Sequence, residues 1–181
     1  MTPPATTPSR FSSVPWWALA FSVDTWRRTL YVLLAPPVSL VCIPLALLGG
    51  SRAAAGLQRG LARRFLALRT HEPAPREGAG RVFTHALLSL PLNLVGLALT
   101  AYLWLLVPIN VAYPLRPGTM DSYQDSWGGP SLAGAWAVHA AGGMVALFVT
   151  PWVVKAVTWL QAGLARRLLS GGLRVLKPPA A

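Results

Sequence analysis

The sequence predicts an all-α membrane protein with two transmembrane helices, a short proline-broken membrane hairpin and two basic amphipathic helices. Three observations lead there. Of the 181 residues, 54% are hydrophobic and only 12% charged, about half the charged share of an ordinary soluble domain. Three stretches carry no formal charge: 29–50 (22 residues), 86–109 (24 residues) and 132–154 (23 residues). The charges that remain are lopsided, with 16 Lys+Arg against 5 Asp+Glu and a net charge of +11. They fall between the apolar stretches. Such a balance alone would suit a nucleic-acid partner, so the position of the charges decides the class. The single cysteine, Cys42, excludes an internal disulfide or a cysteine zinc site.

Residues 1–14 are rich in Thr, Pro and Ser and read as a disordered tail without the apolar core of a signal peptide. Over 15–26, Trp16, Leu19, Val23 and Trp26 share one side of a short interfacial helix. The stretch 29–50 contains Pro36, Pro37 and Pro44 and ends in Gly49-Gly50. As one span it would put Arg27 and Arg28 outside; as a bent hairpin it enters and leaves from the cytoplasm. Two full spans need about 40 residues. We favour the bent hairpin, which the prolines would break and neighbouring protein would cover, and keep the single span as the alternative.

Stretches 86–109 and 132–154 each exceed the ~20 residues that cross a bilayer. Seven arginines lie within 51–81 and five basic residues follow Val154, whereas 110–131 has Arg116 beside Asp121 and Asp125. The positive-inside rule puts 51–81 and the C-terminus in the cytoplasm and 110–131 outside. With a cytoplasmic N-terminus, fifteen of the sixteen basic residues face inward. The charge is then a topology signal, and no nucleic acid is needed to explain it.

A repeat organises the cytoplasmic parts. Leu57-Gln58-Arg59-Gly60-Leu61-Ala62-Arg63-Arg64-Phe65-Leu66 returns as Leu160-Gln161-Ala162-Gly163-Leu164-Ala165-Arg166-Arg167-Leu168-Leu169, with eight of ten positions identical at an offset of 103. At helical spacing Leu57, Leu61, Phe65 and Leu68 form a stripe, with Arg52, Arg59 and Arg63 opposite; Val157, Leu160, Leu164 and Leu168 form its counterpart. Each copy reads as an amphipathic helix lying among inner headgroups or packing on a neighbour. Arg59, Arg63, Arg64, Arg166 and Arg167 are the candidate contacts to lipid or a partner. The half-repeats run over 15–69 and 81–171, and 172–181 is a tail.

Further residues now connect. Trp26-Arg27-Arg28-Thr29-Leu30-Tyr31 opens the first unit, followed by Gly60-Leu61-Ala62-Arg63-Arg64. Asp125-Ser126-Trp127-Gly128-Gly129-Pro130-Ser131-Leu132-Ala133-Gly134-Ala135-Trp136 precedes Thr150-Pro151-Trp152-Val153-Val154 and Leu164-Ala165-Arg166-Arg167-Leu168-Leu169. Over about 24–171 the chain resembles the sensor domain found at the N-terminus of many two-component histidine kinases of high-GC bacteria, and also as a free-standing membrane protein. The resemblance implies a non-enzymatic module of the bacterial cell membrane that relays a membrane or extracellular signal to a histidine kinase or other signalling protein. Family members usually have four spans; the first pair is shortened here. No phospho-accepting helix or Gly-rich nucleotide loop is present, so kinase activity is not expected. A structural or accessory subunit holding anionic lipid or a partner is the alternative, and a small transporter component the third reading.

The candidate sensing loop is Arg116, Asp121, Tyr123, Gln124, Asp125, Trp127, Gly128, Gly129 and Pro130; its other reading is a solvated connector with Trp127 at the interface. Two carboxylates are too few for calcium, and no metal or cofactor is expected. Within the spans, His139 counts to about the level of Thr100 and Tyr102, where it would either report pH or bond one of them as packing. We favour packing. Asn93, about 10 Å above the inner boundary, is expected to bond its own neighbours or the hairpin. Ala133, Ala137 and Ala141, with Gly96, Gly142 and Gly143, offer close packing within the chain or, secondarily, a homodimer seam.

Overall fold

A computed structural model of the chain describes residues 15–66 and 79–168. Both tails, the linker bearing His71, Glu72 and Glu77, and the outer ends of both half-repeats fall outside that range. The elements are a 3-10 turn (Trp16–Phe21), α1 (Val23–Leu47), α2 (Ser51–Leu66), α3 (Ala79–Val111), α4 (Thr119–Ser122) and α5 (Leu132–Leu168), with further 3-10 turns at Tyr113–Leu115 and Tyr123–Asp125. Among the described residues, α1, α3 and α5 are long and apolar enough to cross a membrane.

The interfacial helix expected over 15–26 divides at Ser22. Its extended backbone caps α1, and its Oγ accepts from the Thr25 amide at 3.2 Å. Trp26 therefore belongs to α1. The bent hairpin expected over 29–50 does not form; α1 runs unbroken through Pro36, Pro37 and Pro44. Proline's fixed φ is helical, and its cost is a missing N–H and a crowded preceding turn. Here the buried stripe Thr25, Thr29, Val32, Ala35, Pro36, Ser39, Cys42 and Ala46 holds the helix against its neighbours. The reversal comes later, at Gly49 (φ +87°), where Gly50 N–H donates to Leu45 O at 2.8 Å.

Helix α2 then returns along α1. It approaches closely enough for the Cys42 thiol to reach the Ala54 carbonyl at 3.4 Å. Its buried face is Ala54, Ala55, Gln58, Ala62 and Leu66, one residue round from the leucine stripe expected. Leu57 is left 49% exposed. Small side chains suit that face, where a side chain of α1 reaches the backbone of α2. The second basic helix is not a separate element but the last turns of α5, which Pro151 does not break.

α3 runs antiparallel to both α1 and α5. Trp26 stacks on Trp104 at 4.7 Å, Trp104 donates to Thr29 Oγ1, and lower down Ser39 meets Ser89. A Cβ at Gly96 would lie 2.7 Å from Val157, and one at Gly143 3.0 Å from Asn110. Both glycines admit close helix approach. This register sets Lys155 beside the middle of α3 and carries His139 past the end of that helix. The alanine stripe does not pack within the chain: Ala133, Ala137, Ala141 and Gly142 are exposed, and α5 packs through Ala135, Gly143, Ala146, Thr150 and Val154.

Candidate functional site

The polar residues that the fold gathers belong to the helix interior. On α3, His85, Ser89 and Asn93 stand four apart and so share one face. All three are buried. The Asn93 amide donates to Ser39 Oγ at 2.8 Å and to Ala35 O at 3.4 Å, while its Oδ1 accepts from Gln161 Nε2 at 2.8 Å. One side chain thereby ties α1, α3 and α5. Asn93 thus bonds the unbroken α1 and not a hairpin, and it adds a partner on α5, Gln161, that was not expected.

Around this knot lies a cavity of about 20 Å³, lined among others by Tyr31, Gln58, Arg59, His85, Asn93 and Gln161. Four buried atoms at its edge have no hydrogen-bond partner: both polar atoms of the Gln58 carboxamide, His85 Nδ1 and Gln161 Oε1. Leaving such groups unmet costs about 1–3 kcal/mol each. The volume suits about one water molecule.

Gln58 and Gln161 occupy the same position in the decapeptide repeat. The copies also match in burial: Gln58/Gln161 and Ala62/Ala165 are buried, and Leu57 and Leu160 are each 49% exposed. The repeat is therefore structural, and its copies face one another across the cavity. Sequence reading missed Gln58, Gln161, His85, Ser39 and Ser89. The glutamines carried a signal, being identical polar residues beside an apolar stripe. His85 sits one residue before a charge-free stretch and was hidden by counting from Ala86.

The other sequence candidates are dispersed. His139 bonds neither Thr100 nor Tyr102. Its Nδ1 lies 2.8 Å from Ala135 O, and its ring stacks on Tyr113 at 3.9 Å. Counting each span from the end of its charge-free stretch assumes that the two stretches are level, whereas the glycine contacts fix a different register. Thr100 is fully buried with its Oγ1 unpartnered, and Tyr102 is exposed. Arg59 is part-buried at the cavity; Arg63, Arg64 and Arg167 are exposed and Arg166 is part-buried.

In the loop, Arg116 donates to Ile109 O at 2.9 Å and Asn110 Oδ1 at 3.1 Å, with its guanidinium over the Tyr113 ring. It caps the C-terminal end of α3, where cations are favoured. Tyr113 is buried and donates to Ser126 Oγ at 2.7 Å. Asp121, Gln124, Asp125, Trp127, Gly128 and Pro130 are exposed, and Tyr123 and Gly129 part-buried. Gly128 (φ +92°) lies against Gly134 O. No group of three His, Cys, Asp or Glu residues placed to hold a metal occurs among the described residues. Arg116→Met should leave the last turn of α3 uncapped, at about 1 kcal/mol. Amide hydrogen exchange across 109–117 should then quicken about fivefold; unchanged exchange would contradict the capping role.

No family model matches the chain, and neither a curated protein nor a solved structure does so.

Proposed function

We propose that this chain is a non-enzymatic relay module of the bacterial cell membrane that passes a membrane or extracellular signal to a partner such as a histidine kinase. The observation that carries the reading is the Asn93 knot beside two repeat glutamines with unmet polar atoms. A change in hydrogen bonding there has a direct mechanical output, because one glutamine sits on α2 and the other on α5. Each belongs to a segment that ends in paired arginines. Two arrangements of the cluster would aim Arg63-Arg64 and Arg166-Arg167 differently, which is the bistable element a relay requires. The resemblance to the kinase-associated sensor domain points the same way.

In the topology we infer, α1, α3 and α5 each cross once, with the N-terminus outside and the C-terminus cytoplasmic. The pairing of Trp26 with Trp104 and of Ser39 with Ser89 sets α1 along most of α3's apolar length. Twelve of the sixteen basic residues then remain on the inner side, which still satisfies the charge bias. In intact cells, Ser12→Cys and Met120→Cys should react with an impermeant thiol reagent, and Ala180→Cys only after permeabilisation. An inward-facing Ser12→Cys would show that α1 does not cross once.

The relay itself is tested by spin labels at Leu57→Cys and Leu160→Cys in nanodiscs. Two distance populations are expected, and Gln58→Leu should shift their ratio. A single distance, unmoved by that substitution, would contradict the reading.

A further inference from the structure

The decapeptide repeat preserves more than its buried face. Packing accounts for Gln58/Gln161 and Ala62/Ala165. It leaves Leu57/Leu160, Gly60/Gly163 and Arg64/Arg167 on another side at helical spacing, together with part-buried Leu164, whereas its counterpart Leu61 packs against the core. In the second copy these positions border a groove of about 600 Å³ formed by Leu92 of α3 with Trp159, Leu160, Gly163, Leu164, Arg166 and Arg167 of α5. That volume is in the range of small-molecule sites. Its lining combines three leucines and a tryptophan with one glycine and two arginines.

Depth selects the occupant. The contact of Gly96 with Val157 sets Arg166 and Arg167 level with the start of α3's charge-free stretch, where headgroups lie. Leu92, Leu160 and Trp159 lie deeper, at the level of acyl chains. We propose that the groove binds one anionic phospholipid, its phosphate on Arg166 and Arg167 and an acyl chain along Leu164, Leu160, Leu92 and Trp159. Gly163 leaves the space in which that chain lies. A soluble phosphate would find the charges but no use for the apolar wall.

The proposal rests on the chain lying in a membrane with the C-terminal end of α5 at a headgroup layer; it does not need the relay. The test gives the purified full chain in detergent equal amounts of phosphatidylglycerol and phosphatidylcholine with identical acyl chains, and counts retained lipid by native mass spectrometry. One phosphatidylglycerol should be retained, on the order of tenfold over phosphatidylcholine. R166Q/R167Q should bring the ratio near one. G163L keeps both charges and favours helix, yet should fill the groove and lower retention of either lipid. R27Q/R52Q, removing equal charge elsewhere, should keep the preference, and inorganic phosphate should displace nothing.

Equal retention of both lipids by the unaltered chain would overturn the site, as would a preference that survives R166Q/R167Q. So would unchanged retention in G163L, loss of the preference in R27Q/R52Q, or displacement by phosphate. Flotation with vesicles separates the two levels. A chain that floats without lipid preference lacks the site alone, and one that floats with neither lipid refutes the membrane reading as well.

Discussion

Replacing Gly96 by leucine should be among the most damaging single changes to this protein. The first added carbon would lie 2.7 Å from Val157 Cγ1, and Gln161 Nε2 stands only 3.5 Å from it. The α3–α5 contact cannot yield there without also pulling the Asn93–Gln161 bond apart. Overpacking a tight site costs about 1–3 kcal/mol, and the lost hydrogen bond adds to it. We expect roughly 3 kcal/mol in total, read as a lowered midpoint in detergent unfolding. Gly142→Leu is the matched control: nothing lies within 4 Å of an added Cβ, so the gain in helix propensity should leave stability level or slightly raised. Equal losses at the two glycines would refute the register.

Asn93→Leu should be comparably severe, for a different reason. Interhelical hydrogen bonds inside membranes are individually modest, averaging about 0.6 kcal/mol. Asn93, however, serves three partners on two other helices, and its removal leaves Ser39 and Gln161 facing leucine. The unmet groups dominate, and the loss should reach roughly 2–3 kcal/mol. Gln161→Leu in the same chain removes one of the stranded groups, so the double variant should be clearly more stable than the sum of the two single losses predicts. Strict additivity in that cycle would mean that the two amides do not act on one another.

Much of the helical layout was legible in the residues. The charge-free stretches over 86–109 and 132–154 marked α3 and α5, because burying a charge in lipid is costly and their absence over such lengths is diagnostic. The path of 29–50 was not legible. Pro36, Pro37 and Pro44 looked like breaks, yet a proline's cost is a local few kcal/mol, and a stripe of seven or more packed positions along α1 outweighs it. Gly49, with its positive φ, was the true stop.

The candidate site was harder still. Periodicity identifies an apolar face by its largest residues, which favoured Leu57 and Leu160. In closely approaching helices the smallest residues face inward, so alanine and glycine mark the contact and the leucines turn away. Gln58 and Gln161 lie on that small-residue face. Residue counting sets His139 beside Thr100 because a single sequence holds no information about the register of one helix against another. Gly96 and Gly143 supply it only once their neighbours are known.

That register has a mechanical consequence. With Gly96 on Val157 and Gly143 on Asn110, the apolar lengths of α3 and α5 are offset along the bundle by roughly 20 Å at 1.5 Å per residue. A flat hydrocarbon layer about 30 Å thick cannot match both at one height. In a bilayer the mismatch would be met by tilting the bundle or by thinning the bilayer on one flank, and each adjustment carries an elastic cost per ångström. In a bilayer, membrane thickness would therefore load the contact between α3 and α5 that the Gln161–Asn93 hydrogen bond holds.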